Sequence, residues 1–128
     1  MNSIRKAEKE DIAAIEKINT VWPDGTIKTY FEQGRSGYVA VSDGTISGFI
    51  LFEDRGNWTH VFLLQVSDKG HGIGRELMSI GHPKKSLHVR ESNPARGFYE
   101  KLGFHVSHTK PYYYADCETA LIMLNAEV

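Results

Sequence analysis

The chain has 128 residues with 41% hydrophobic and 24% charged residues, the balance of an ordinary soluble domain with room for a hydrophobic core. A formal net charge of −1, with no basic run beyond Lys84–Lys85, argues against nucleic-acid binding by charge. One cysteine, Cys117, excludes an internal disulfide and fits a reducing cytoplasm. Neither a signal peptide nor an apolar run of membrane-spanning length is visible.

Ser3–Lys6 reads as a short strand, and Glu8–Val21 as an amphipathic helix with Ile12, Ile15 and Ile18 along one stripe. Pro23-Asp24-Gly25 breaks it. Thr26 is the expected cap of a second helix through Gln33, whose Ile27, Tyr30 and Phe31 share a face, with Gly34 as its stop. Tyr38–Val41 and Thr45–Phe52 are β-rich and flank Ser42-Asp43-Gly44, a hairpin signal of type I′. Arg55-Gly56-Asn57 turns the chain into a third strand, Trp58–Val66.

Leu63–Leu77 then runs from apolar strand through Gly70, Gly72 and Gly74 into a helix predicted over Arg75–Ile80. Unpaired N–H groups at a glycine-rich helix start suit a phosphate or pyrophosphate. The loop fails as a dinucleotide fingerprint, because Arg75 stands where the third glycine belongs and a meander precedes it. It fails as a Walker loop for want of Gly-Lys-Ser/Thr. A tight turn without ligand remains open at this point. Ser86–Arg90 is the next strand, parallel to Trp58–Val66 across a helical crossover. Pro94 suits the first turn of a helix capped by Ser92 or Asn93 and stopped by Gly103. Phe104–Val106 and Thr119–Leu124 close the chain as strands around the aromatic loop Pro111–Tyr114.

Two motifs carry a resemblance. Lys69-Gly70-His71-Gly72-Ile73-Gly74 resembles the acetyl-coenzyme A loop, Gln/Arg-x-x-Gly-x-Gly/Ala, of the GNAT superfamily of N-acetyltransferases. Asn93 through Phe104 resembles that family's second signature, a strand, an Asn, then a helix with Phe-Tyr-x-x-x-Gly-Phe. The similarity extends from Ile4 to Met123.

The resemblance implies one α/β (α+β) domain, residues 1–128, with a mixed, mostly antiparallel sheet of about seven strands. Its central parallel pair is splayed, and helices lie on both faces. It implies acetyl-CoA as acyl donor, no metal, and direct transfer to a small-molecule or peptide amine in a ternary complex, by a monomer or homodimer. Backbone groups of Leu64, Gln65 and Val66 would meet the pantetheine arm as an added strand does. Amides of Lys69, Gly70, His71, Gly72, Ile73, Gly74 and Arg75 would hold the pyrophosphate, with Asn93 on the far side of the arm. Tyr99 matches the tyrosine that protonates the departing thiolate, and a phenol with pKa near ~10 keeps its proton until such a base arrives.

His88 stands where related protein-N-terminus acetyltransferases carry Glu in Leu-Glu-Val-Arg, and is the candidate general base. His60, Glu91 or an ordered water are its rivals. His105 and His108 lack further metal ligands. Tyr112-Tyr113-Tyr114 and Ala120–Met123 resemble the tail of ribosomal-protein alanine acetyltransferases. The departures are Lys69 for Gln/Arg, a link Ser67–Lys69 about two residues short of the family's, and a short helix after the loop. A catalytically silent acyl-CoA-binding regulatory module is the alternative function.

Overall fold

The computed structural model describes residues 2–67 and 70–127. In chain order these form β1 (Asn2–Lys6), a 3-10 turn (Lys9–Asp11), α1 (Ile12–Ile18), α2 (Thr26–Glu32), β2 (Ser36–Ser42), β3 (Thr45–Arg55) and β4 (Trp58–Val66). There follow α3 (Ile73–Met78), β5 (Lys84–Arg90), α4 (Arg96–Lys101), β6 (His105–Lys110) and β7 (Ala120–Leu124). Hydrogen bonding orders the seven strands β1-β2-β3-β4-β5-β7-β6. The mixed sheet with β4 parallel to β5 is the expected one. Two compact units are present, Met1–Glu53 with Phe62–Ile80, and Asp54–Val61 with Gly81–Val128.

In the first unit β1, β2 and β3 form an antiparallel meander. Asp43 (φ 51°) and Gly44 (φ 79°) are both left-handed, as a type I′ turn requires. Ile15, Ile27, Tyr30, Val39, Phe49, Leu51 and Leu63 are buried together, and Ile12, Ile18, Trp22, Phe31 and Phe62 pack around them. The first helix is shorter than its apolar stripe suggests. Asn19 leaves the helical region (ψ 122°) and its Oδ1 accepts the N–H groups of Val21 and Trp22 at 3.0 and 2.9 Å. A side chain that offers the backbone these bonds outside the helix stops it there. Nor does Thr26 cap α2; left-handed Gly25 precedes it and Thr26 is the first helical residue.

Tyr30 ties α2 to two strands. Its hydroxyl accepts Phe52 N–H at 3.1 Å and offers its one proton to the carbonyls of Phe52 and Ser36. Burial pushes this phenol up to about 12. Tyr30→Phe strands the Phe52 N–H and is expected to cost about 1–3 kcal/mol in denaturant unfolding. Wild-type stability in that variant would exclude the hydroxyl as a tie.

In the second unit β5 pairs antiparallel with β7, and β7 with β6. Every residue of β7 is buried, with Val61, Leu87, Val89 and Phe104 also in the interior. One polar knot fixes the approach to β5. Thr59 Oγ1 donates to Asp54 Oδ1 at 2.6 Å and accepts His82 N–H at 2.8 Å. Gly81 (φ 85°) passes so close that an added Cβ would lie 2.5 Å from that same Oγ1. Gly81→Ala therefore combines left-handed strain with a clash against a buried hydroxyl, and a loss of about 2–4 kcal/mol is expected. A thermal midpoint equal to wild type would refute the contact.

Candidate active site

The parallel ladder of β4 and β5 runs from Trp58↔Lys84 through His60↔Ser86 to Val61↔Leu87. Side chains alternate along β5, so Ser86, His88 and Arg90 share one face while Leu87 and Val89 point into the core. His60 is buried, and its Nδ1 lies 2.8 Å from Ser86 Oγ. Its ring meets that of His88 edge-on, centroids 4.9 Å apart, and Tyr113 packs on the other side of His88 at 5.2 Å. His88 is half-buried, the first β5 residue after the last ladder pair. Burial pushes its pKa below the usual imidazole value, and the charges of Lys110, Arg55 and His108 push the same way. At neutral pH the ring is therefore neutral, with a lone pair able to accept a proton.

Two residues on, Arg90 Nη1 reaches both oxygens of Asp116 (2.8 and 2.9 Å) and Glu118 Oε1 (2.9 Å). Its guanidinium lies 4.0 Å over the Tyr114 ring. Sequence reading missed this cluster. The partners lie 26 and 28 positions away, and only the β5–β7 pairing brings them together.

Past Glu91, Asn93 Oδ1 accepts Ala95 N–H at 2.8 Å. Asn93 thus serves the start of α4, though the helix begins at Arg96 rather than at Pro94. Tyr99 packs between Phe98 (5.5 Å) and Phe104 (6.0 Å). Burial raises its pKa above the ordinary phenol value, so it holds its proton through neutral pH.

In the first unit the end of β4 is held by polar bonds. Gln65 Nε2 donates to Thr20 Oγ1 at 2.7 Å and Gln65 Oε1 accepts Thr20 N–H at 3.1 Å, which occupies that side chain. Ser67 N–H and Oγ both reach Ser47 O. Leu64 and Val66 are half-buried. Lys69, and with it the link Ser67–Lys69, lies outside the described residues. Gly70 (φ 92°) and Gly72 (φ 74°) are left-handed, and Gly72 leads into α3 with Glu76 N–H bonded to its carbonyl. Among the described residues nothing stands within 4 Å of a Cβ built on either, which leaves room there for an approaching group. His71 and Arg75 are exposed, and Ile73 is buried. The helix starts two residues earlier than predicted, with Ile73 and Gly74 in its first turn, and ends at Met78.

His105 and His108 join no group of three metal-ligand side chains among the described residues. Nor is any described helix long and apolar enough to cross a membrane.

Strand order and the parallel β4–β5 pair define a mixed-sheet α/β chain. The acetyltransferase (GNAT) domain matches residues 5–119, and the chain belongs to that family. It is 34% identical to an uncharacterised N-acetyltransferase of Methanocaldococcus jannaschii, covering 94% of this chain and 89% of that protein. An N-alpha-acetyltransferase of Saccharolobus solfataricus is 29% identical, covering 94% and 90%. The ribosomal-protein-S18-alanine N-acetyltransferase of Escherichia coli superposes with a TM-score of 0.78 at 26% identity, covering 97% and 92%. The chain is thus an acetyltransferase of the GNAT family.

Because burial and the charges of Lys110 and Arg55 act in one direction, the His88 ring should titrate below 6.5 in an NMR pH series. A midpoint above that value would contradict the packing described.

Proposed function

We propose that the chain transfers an acetyl group from acetyl-CoA to the α-amine of a peptide, by direct attack in a ternary complex. The observation that carries this reading is His88, a neutral imidazole between His60 and Tyr113 at the end of the parallel ladder. A base held below the ordinary imidazole value is mismatched to a lysine ammonium near ~10.4 but closer to an α-ammonium near ~8. The N-alpha-acetyltransferase relative supports the same acceptor.

In this reading the amine lone pair attacks the thioester carbonyl, a C–N bond forms and the C–S bond breaks. His88, directly or through water, takes the proton lost by nitrogen. Tyr99 gives its proton to the departing sulfur, a role its raised pKa fits. The donor lies along the backbone of Leu64, Gln65 and Val66, with its pyrophosphate on the amides from Lys69 to Arg75 and its arm bonded by Asn93. The open, left-handed Gly70 and Gly72 are compatible with an anion on the backbone. No covalent acyl-enzyme is needed; Cys117 is an exposed free thiol, which also fits a cytoplasmic home. Most of the rate comes from holding amine and thioester in contact.

Acetyl-CoA at a hundred times its Kd should raise thermal stability by about 2.7 kcal/mol, and no shift would dismiss donor binding altogether. Tyr99→Phe should then lower kcat by about a hundredfold in a free-thiol assay, if a general acid is lost. An unchanged kcat under chemistry-limited conditions removes Tyr99 from that role. Wild-type kcat/KM should climb with pH through the His88 midpoint, below 6.5, as the imidazole loses its proton. His88→Ala should lack this limb, and a profile identical to wild type assigns the base elsewhere. Binding without transfer to any amine would instead favour a silent acyl-CoA-binding module.

A further inference from the structure

Arg90 is an ionic hub that no step of the reaction uses. One nitrogen, Nη1, holds Asp116 and Glu118, and Glu118 Oε2 in turn accepts Ser92 N–H at 2.7 Å. The segment it grips, 111–118, returns the chain from β6 to β7 and includes two non-glycine residues in the left-handed region, Tyr112 (φ 57°) and Cys117 (φ 69°). Such residues are rare outside glycine and persist where surrounding contacts over-determine the backbone. Tyr114 stacks under the Arg90 guanidinium, Tyr113 meets Tyr114 edge-on at 5.1 Å, and Tyr113 meets His88 at 5.2 Å. A continuous set of contacts therefore runs from the charge on Arg90 through two rings to the imidazole. Arg90 and His88 are two residues apart on one face of β5, so the strand that carries the imidazole also carries the clamp.

We infer that Arg90 is a positioning residue, which by clamping Asp116, Glu118 and Tyr114 holds Tyr113 as an aromatic wall against His88. The wall excludes water from one side of the imidazole and fixes the ring plane that an incoming amine meets. Arg90 itself touches neither amine nor thioester. The inference rests on His88 being the base only for its catalytic consequence; the clamp and its effect on the ring stand apart from that reading.

Asp116 and Glu118 are held below the ordinary carboxylate range, Asp116 chiefly by Arg90 and Glu118 by Ser92 and then Arg90. Folded-state carboxyl pKa values depressed in this way give a clamp that is complete above the usual carboxylate range and lost as pH falls through the lowered values. The groups that face His88 are His60 from β4, Arg55 at the end of β3, Lys110 and His108 from β6, and Tyr113 from the loop. None of these is removed by changing Arg90.

Arg90→Lys keeps the charge but loses the planar guanidinium that stacks on Tyr114. It should let Tyr113 swing away, expose His88 to water, and raise the NMR midpoint of the His88 ring toward 6.5. Arg90→Gln should do the same. In a Tyr113→Ala background neither substitution should move the midpoint further, because the wall is already gone. A bare charge effect would spare Arg90→Lys and persist in the Tyr113→Ala background, and either result overturns the inference. Asp116→Asn, on an exposed partner, repeats the titration should the Arg90 variants fail to fold. With acetyl-CoA and a peptide amine, Arg90→Lys should lower kcat/KM for the peptide about tenfold or more, as expected for a reacting group out of position. That loss should disappear when Tyr113 is already Ala. If wild type acetylates no amine, the proposed activity is what fails, while the ring titration still decides the clamp.

Discussion

The four-pair parallel ladder between β4 and β5 is the constraint on which the candidate chemistry depends. It sets His60 opposite Ser86, so the Ser86 hydroxyl can fix the His60 ring through Nδ1. The next residue of β5 on that face is His88, and its ring rests on a neighbour already fixed in place. Parallel pairing is the less stable kind of ladder, and here buried Thr59, Val61, Lys85 and Leu87 back it. The Thr59–Asp54–His82 knot and the close passage of Gly81 fix the turn that delivers the chain into β5.

Charge around His88 is arranged in two layers. Lys110, Arg55 and His108 disfavour a proton on the imidazole, and burial acts first and in the same sense. Arg90, two residues further along β5, is salt-bridged to Asp116 and Glu118. In the proposed arrangement it serves as a structural clamp. Tyr99 belongs to the same logic: a phenol whose burial raises its pKa keeps a proton in reserve, while a half-buried imidazole stays without one. In the proposed reaction Tyr99 is the acid and His88 the base, and environments that push the two in opposite directions suit proton transfer in both senses at neutral pH.

Strands were legible in the sequence because their signals are local. Asp43-Gly44 and Gly56 punctuate β-rich runs, and Trp58–Val66 is the β4 that forms. Helix ends were less so. Asn19 stops α1 with its own side chain, and Gly25 rather than Thr26 precedes α2, details that periodicity does not encode. At the site, His88 stood out through its place in Leu87-His88-Val89-Arg90. The contacts around it did not: Ser86 holds His60 through strand register, and Asp116 and Glu118 hold Arg90 through a pairing more than two dozen residues distant. Side-chain clamps of that span leave no spacing to read.

Transfer of acetyl to an α-amine is the central claim, and mass analysis of a peptide acceptor tests it most directly. Purified wild-type chain, acetyl-CoA and a peptide with a free N-terminus should yield peptide heavier by one acetyl group, with one free CoA thiol released per peptide. The same peptide with a blocked N-terminus and an internal lysine should stay unmodified. Modification of the lysine in the blocked peptide, or no modification of any free N-terminus, would contradict the account.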